Sequence, residues 1–154
     1  MEDKNIMLKI TSPVIFPGEM IPKKYTCDGK DFNPPLDISG VPEKAKSLAL
    51  IVDDPDAPVG NWNHWAAWNI DPKITEIGED SIPTGAMLGT NSFERLTFGG
   101  PCPPSGTHRY FFKLYALDSA IDLPEGAEKD ALEKSMEGHI LEQAELMGKY
   151  ERLR

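Results

Sequence analysis

A mainly β domain with helix at its periphery is predicted from three observations. Fourteen prolines fall at short intervals, the last of them Pro124. Three runs before that point are strongly apolar or aromatic over the length of a strand. Only beyond Pro124 do apolar residues recur at helical spacing. A proline inside a helix removes a hydrogen bond and clashes with the preceding turn, so the proline-rich part of the chain has little room for helix.

The elements follow in order. Residues 7–11 form a weak strand candidate and residues 14–16 an edge segment. Residues 47–53 (Ser-Leu-Ala-Leu-Ile-Val-Asp) are almost wholly apolar, as expected of a strand covered on both faces. Residues 64–70 (His-Trp-Ala-Ala-Trp-Asn-Ile) form a second central strand and residues 74–77 a weaker one. Residues 109–117 (Arg-Tyr-Phe-Phe-Lys-Leu-Tyr-Ala-Leu) form a third, rich in the aromatics that suit a pleated surface. In the tail, Leu132, Met136, Ile140, Ala144 and Met147 predict a helical pair. Gly138 divides it, Gly148 ends it, and residues 150–153 return as a last strand.

The 154 residues fit one domain, spanning 1–154, and a hydrophobic fraction of 40% is enough for a core. Sixteen Lys and Arg against 25 Asp and Glu give a net charge of -9. That field repels nucleic acid and anionic membranes, while leaving room for a small local anion site. The charged start of the chain lacks a leader's apolar stretch, and no run approaches the roughly 18 apolar residues of a membrane helix; a soluble cytoplasmic protein without membrane insertion is expected. Cys27 and Cys102 form no CxxC motif. They are either bridged or two reduced, small apolar side chains, and the sequence leaves both open.

Three stretches can carry chemistry. In Asp53-Asp-Pro-Asp-Ala-Pro58, Asp54 and Asp56 lie where a buried strand runs out, and Pro55 and Pro58 stiffen the turn that presents them. In Trp62–Trp68, strand alternation puts Trp62, His64, Ala66 and Trp68 on one face. In Phe98-Gly-Gly-Pro-Cys-Pro-Pro-Ser-Gly-Thr-His-Arg-Tyr110, the glycine-rich loop offers backbone N–H groups to an anion, and His108 and Tyr110 then share a strand face. The loop is no Walker A motif, since Thr107 follows Gly106 where a lysine is required. Each stretch alone reads as a turn, a core histidine or a rigid loop. Together they supply imidazole, phenol and amide donors, with carboxylates to fix the histidine tautomers. No nucleophile elbow or HExxH motif is present, so no enzyme is expected. Asp54, Asp56, His64 and His108 suit a divalent metal by type and match no standard ligand spacing. His139 reads as a helix-surface or packing residue.

Asp54-Pro-Asp-Ala-Pro58 with Trp62-x-His64, followed by Gly100-x-Cys-Pro-Pro-x-Gly-Thr-His-Arg-Tyr110, resembles the phosphatidylethanolamine-binding protein family, in particular its bacterial and archaeal Raf-kinase-inhibitor-like branch. Tyr25-Thr-Cys-Asp-Gly29, Asn33-Pro-Pro-Leu36 and the segments around Gly138-His-Ile-Leu and Tyr150-Glu-Arg152 carry the same likeness, which covers residues 12–153. The resemblance implies a Greek-key β fold with a large antiparallel sheet, a smaller sheet and peripheral helices. It implies a pocket for phosphate, acetate or phosphorylated head groups, built from Asp54, Asp56, Pro58, Trp62, His64, Gly100, Cys102, Pro104, His108 and Tyr110. It also raises cis peptides at Asp56-Ala-Pro58 or Pro103-Pro104. A shorter loop between Pro58 and Trp62, Cys102 in place of another residue, and an end at Arg154 without a C-terminal helix set the chain apart from animal members and favour a head group over a whole lipid.

The expected function is therefore non-enzymatic binding of small anions or phosphorylated head groups, with a regulatory role and no cofactor. Two alternatives are an interaction module that inhibits a kinase or protease through a surface loop, and a metal-assisted hydrolase. The oligomeric state, a homodimer among the options, stays open.

Overall fold

The computed structural model describes residues 7–152. Residues 1–5, read for a leader, and Leu153, read as the end of a last strand, lie outside the described residues. The described strands form two antiparallel sheets. β1 (Lys9–Thr11), β2 (Leu36–Ser39) and β5 (Glu76–Ile77) make the smaller one, with β2 in the middle. β3 (Ser47–Asp54), β4 (Trp62–Ile70), β6 (Met87–Leu88), β7 (His108–Leu117) and β8 (Ile140–Tyr150) make the larger one, in the order β6-β4-β3-β7-β8. Among the described residues one α-helix, α1 (Lys129–Met136), packs on the larger sheet.

The apolar run of β3 has the cause its sequence suggests. Every residue of the strand is buried because both of its faces are covered. Leu48, Leu50 and Val52 join Phe112 and Leu114 of β7 and Ile10, Leu36, Ile38 and Ile77 of the smaller sheet in the main core. Ala49 and Ile51 face the other way, with Ala66 and Trp68 of β4, and meet Leu132 and Met136 of α1.

The tail departs from the predicted helical pair. Only its first half is helical: α1 ends at Met136, Gly138 turns the chain at φ 81°, and β8 then pairs with β7 from Leu117↔Ile140 to His108↔Tyr150. A spacing of four residues, as from Ile140 to Ala144, is also two strand periods, whereas the step of three from Ala144 to Met147 is not, and Met147 lies outside the core that Ala144 and Leu146 join. The ladder decides, because β7 would otherwise leave a long row of unpaired backbone groups at the sheet edge. Gly148, read as a helix stop, faces the core opposite Tyr110, where a Cβ would stand 2.6 Å from Ile21 Cγ1. His139 lies in the turn before β8, its Nδ1 2.8 Å from Asp118 Oδ1.

Residues 14–16 form no strand; the Ile15 N–H donates to Ser12 Oγ at 3.2 Å instead. β2 and β6, of four and two residues, are short strands additional to the expected ones. Among the described residues every peptide bond is trans, including those before Pro58 and Pro104.

Candidate functional site

The end of β3, the start of β4 and the start of β7 meet at one end of the larger sheet. Asp54 closes β3 with 4% of its side chain exposed, and each of its oxygens has work. Oδ1 accepts the Asp56 N–H at 2.7 Å, a local turn that Pro55 stiffens. Oδ2 accepts from His108 Nδ1 at 2.7 Å. A carboxylate only accepts, so the Nδ1 proton is committed to Asp54 and the second ring nitrogen, Nε2, is the one left for a guest.

His64 is held in the same sense by a different group. Its Nδ1 donates to the Gly99 carbonyl at 2.6 Å, and the Gly99 N–H donates back to the His64 carbonyl at 3.0 Å. The histidine occupies an irregularity in β4: Asp53 pairs with Asn63 and Val52 with Trp65, so His64 is one residue more than β3 can match. The shift breaks strict alternation. Trp62 and His64 share the site, whereas Ala66 and Trp68, predicted on the same face, pack under α1. Phe93 and Tyr110 meet the His64 ring edge-on at centroid distances of 5.3 and 5.2 Å.

The third wall is the segment from Gly99 to Pro104. Cys102 is bridged to Cys27, which settles the alternative that the sequence left open. Gly100 packs so closely against Asp31 and the Tyr25 backbone that no Cβ fits, and its N–H already donates to Asp31 Oδ1 at 2.8 Å.

These walls enclose a cleft of about 250 Å³. Seven of the expected residues line it: Asp54, Pro58, Trp62, His64, Cys102, Pro104 and His108. Three do not. Gly100 spends its amide on Asp31, away from the cleft. Tyr110 lies behind the histidines, 1% exposed, its ring stacked 6.5 Å from that of His108. Its hydroxyl neighbours Asp54 and the Cys102 N–H without a hydrogen bond of acceptable geometry. Asp56 orients no imidazole; it clamps Arg109, accepting from its N–H, Nε and Nη2, each at 2.9 Å. Ala57, Val59, Phe93 and Pro103 complete the lining. Of these, Phe93 comes from a loop that carried no motif, and its position follows only from the tertiary fold.

Charge is distributed unevenly. Hydrogen bonding from Arg109 holds the Asp56 carboxyl at about 2, despite some burial, so its charge is spent outside the cleft. Burial pushes the His64 imidazolium below its ordinary value, with the Gly99 carbonyl and Asp54 pulling the other way. Burial, and then Asp54, raise the Tyr110 phenol well above its ordinary value, so it stays protonated. Among the described residues no group of three His, Cys, Asp or Glu is placed to hold a metal ion, which leaves the four residues considered as ligands without a metal arrangement. No helix among them is long and apolar enough to cross a membrane.

Comparison with known proteins agrees with this architecture. The family model for phosphatidylethanolamine-binding proteins matches residues 11–151. A UPF0098 protein of Pyrococcus horikoshii is 49% identical over 159 residues, covering 97% of this chain and 79% of the relative. One of Methanothermobacter thermautotrophicus is 52% identical over 137 residues, covering 86% and 91%. The crystal structure of CT736, a phosphatidylethanolamine-binding protein homolog of Chlamydia trachomatis, superposes with a TM-score of 0.92 at 42% identity over 97% of this chain and all (100%) of that one. That of Escherichia coli YbcL, described as a member of the mammalian family, gives 0.89 at 34% identity over 95% and 99%.

Proposed function

The chain belongs to the phosphatidylethanolamine-binding protein family, and from that premise we propose that it binds a small anion, of the phosphate or phosphorylated head-group class, without transforming it. The observation that carries this reading is the pair of imidazoles, His64 and His108, lining one cleft with each Nδ1 held by an acceptor. A neutral ring so held offers only a lone pair at Nε2, whereas a protonated ring offers a donor there. Binding of an anion is therefore coupled to uptake of protons.

Two carboxylates beside a phosphate would repel it, and the hydrogen bonding removes much of that objection. Asp56 faces Arg109, and Asp54 faces the His108 ring, so protonation of His108 neutralises the one acid that lines the cleft. The mouth is apolar, with Pro58, Trp62, Phe93, Pro104 and Val59, the last 78% exposed. Such a collar suits an apolar substituent on the anion.

The test is titration with sulfate, a dianion throughout the neutral range, followed by NMR. Sulfate is expected to shift the ring resonances of His64 and His108 and to bind more tightly as the pH falls. The His108→Ala variant is expected to lose binding while its thermal transition stays cooperative. Undiminished binding by that variant refutes the reading.

A further inference from the structure

We propose that the Cys27–Cys102 bridge is a thiol-reactive element that tunes this cleft, exchanging with small thiols at Cys27 and releasing the Cys102 sulfur as a thiolate beside the bound anion's position. The proposal rests on the anion reading above. Its geometry is asymmetric: Cys27 is exposed, whereas Cys102 is half-buried and lines the cleft with His64 and His108. Thiol–disulfide exchange is governed by access to the attacked sulfur and by how well the leaving thiolate is stabilised. Both point in the same direction, toward attack on the sulfur of the exposed cysteine and departure of the sulfur whose residue lines the cleft with two histidines.

In the first step a small thiolate forms a bond to Cys27 Sγ. The bond between the two cysteine sulfurs breaks, and its electron pair leaves on Cys102 Sγ, which takes a proton from an imidazolium or from water. In the second step another molecule of the thiol attacks the mixed disulfide at the small thiol's own sulfur and releases Cys27 as a thiolate. The balance is two small thiols oxidised to their disulfide and one bridge reduced to two cysteines.

The consequence for the cleft follows from charge and tethering. A neutral bridge becomes an ionisable thiol on the wall of an anion site, and the covalent tie between segments 75 residues apart is lost. Two hydrogen bonds, Gly100 N–H to Asp31 Oδ1 and Cys27 N–H to the Pro101 carbonyl, also join these segments, so the wall keeps other anchors. Reduction thus weakens anion binding. By linkage, a bound anion disfavours reduction by the same factor.

The experiment compares sulfate affinity of the oxidised protein with that of protein reduced by excess glutathione, at pH 7. Affinity is expected to fall about fivefold or more on reduction, within the usual range of coupling between sites. Mass spectrometry of the acid-trapped intermediate is expected to place glutathione on Cys27, and saturating sulfate to shift the glutathione equilibrium back by the matching factor. The double variant Cys27→Ala, Cys102→Ala is expected to bind sulfate indifferently to glutathione. Equal affinity before and after reduction, a bridge that glutathione leaves intact, or an adduct on Cys102 overturns the proposal. If the oxidised protein binds no sulfate, the anion reading fails on its own. The redox element is then judged by the His64 and His108 ring resonances, and identical shifts in the two redox states overturn it.

Discussion

Replacing Asp54 with asparagine changes the charge at the floor of the cleft and almost nothing of its shape. The carboxylate accepts twice, from the Asp56 N–H and from His108 Nδ1, both at 2.7 Å. Asparagine has one oxygen and one NH2 group. With the oxygen kept on the Asp56 N–H, the amide hydrogens face His108 Nδ1, and the ring must accept there and carry its own proton on Nε2. The neutral ring then presents a donor to the cleft with no added proton. In the native protein each proton taken up with the anion makes log Kd for sulfate rise by about one decade per pH unit above the relevant titration. The Asp54→Asn line is expected to be flatter by about one, from the removal of a single linked proton. Exchange of a charge-assisted bond for a neutral one costs about 1 kcal/mol of stability, against a typical total of about 5–15 kcal/mol, so the variant stays folded. Sulfate titrations at pH 6, 7 and 8, with urea unfolding alongside, decide it. Parallel lines for the two proteins would refute the assignment of Nδ1–H to Asp54 and with it the proton-coupled mechanism.

Three further outcomes follow from the same hydrogen bonds and packing. In Arg109→Ala, the Asp56 carboxyl should titrate near the ordinary value of about 3.9 instead of about 2, read by carboxyl NMR, with sulfate binding in the cleft preserved. Because the folded-state value is the lower one, the stability that Asp56 contributes is present above its unfolded value and lost as the pH falls toward 2; the variant should lack that acid step. His64 is also depressed in the folded state, which for a histidine means that folding favours the neutral ring. Stability is then full above the unfolded value of about 6.5 and declines as the pH falls below it, and a His64→Asn variant should show a flatter urea midpoint between pH 7 and 5. Gly148→Ala, whose Cβ would press on Ile21 and Ile15, should cost about 1–3 kcal/mol in urea unfolding; a loss under 0.5 kcal/mol (about the noise of a surface change) would show that this edge of the core can give way.

Local pattern was enough for the β-rich class, the three long central strands and the acidic and histidine side of the cleft; the rest of its expected lining came from the family resemblance. Proline spacing bars helix along the chain wherever it occurs, and an unbroken apolar run such as 48–52 can only be a segment covered on both sides. Asp54 was legible because it closes a strand in a turn stiffened by Pro55 and Pro58, and Trp62, His64 and His108 because each lies in the first residues of a strand that follows a proline- or glycine-rich turn. Features that depend on a distant segment were not local. The extra residue at His64 flips Ala66 and Trp68 to the face under α1, since register is set by the partner strand and a one-residue slip reverses every side chain after it. Residues 140–150 became strand because they pair along β7, and the four-residue step from Ile140 to Ala144 suits a strand face as well as a helix face. The amide of Gly100 and the carboxylate of Asp56 were drawn away by Asp31 and Arg109. The bridge from Cys27 to Cys102 likewise joins segments that only the folded chain brings within bonding distance, and in each of these cases the competing partner is invisible to local pattern.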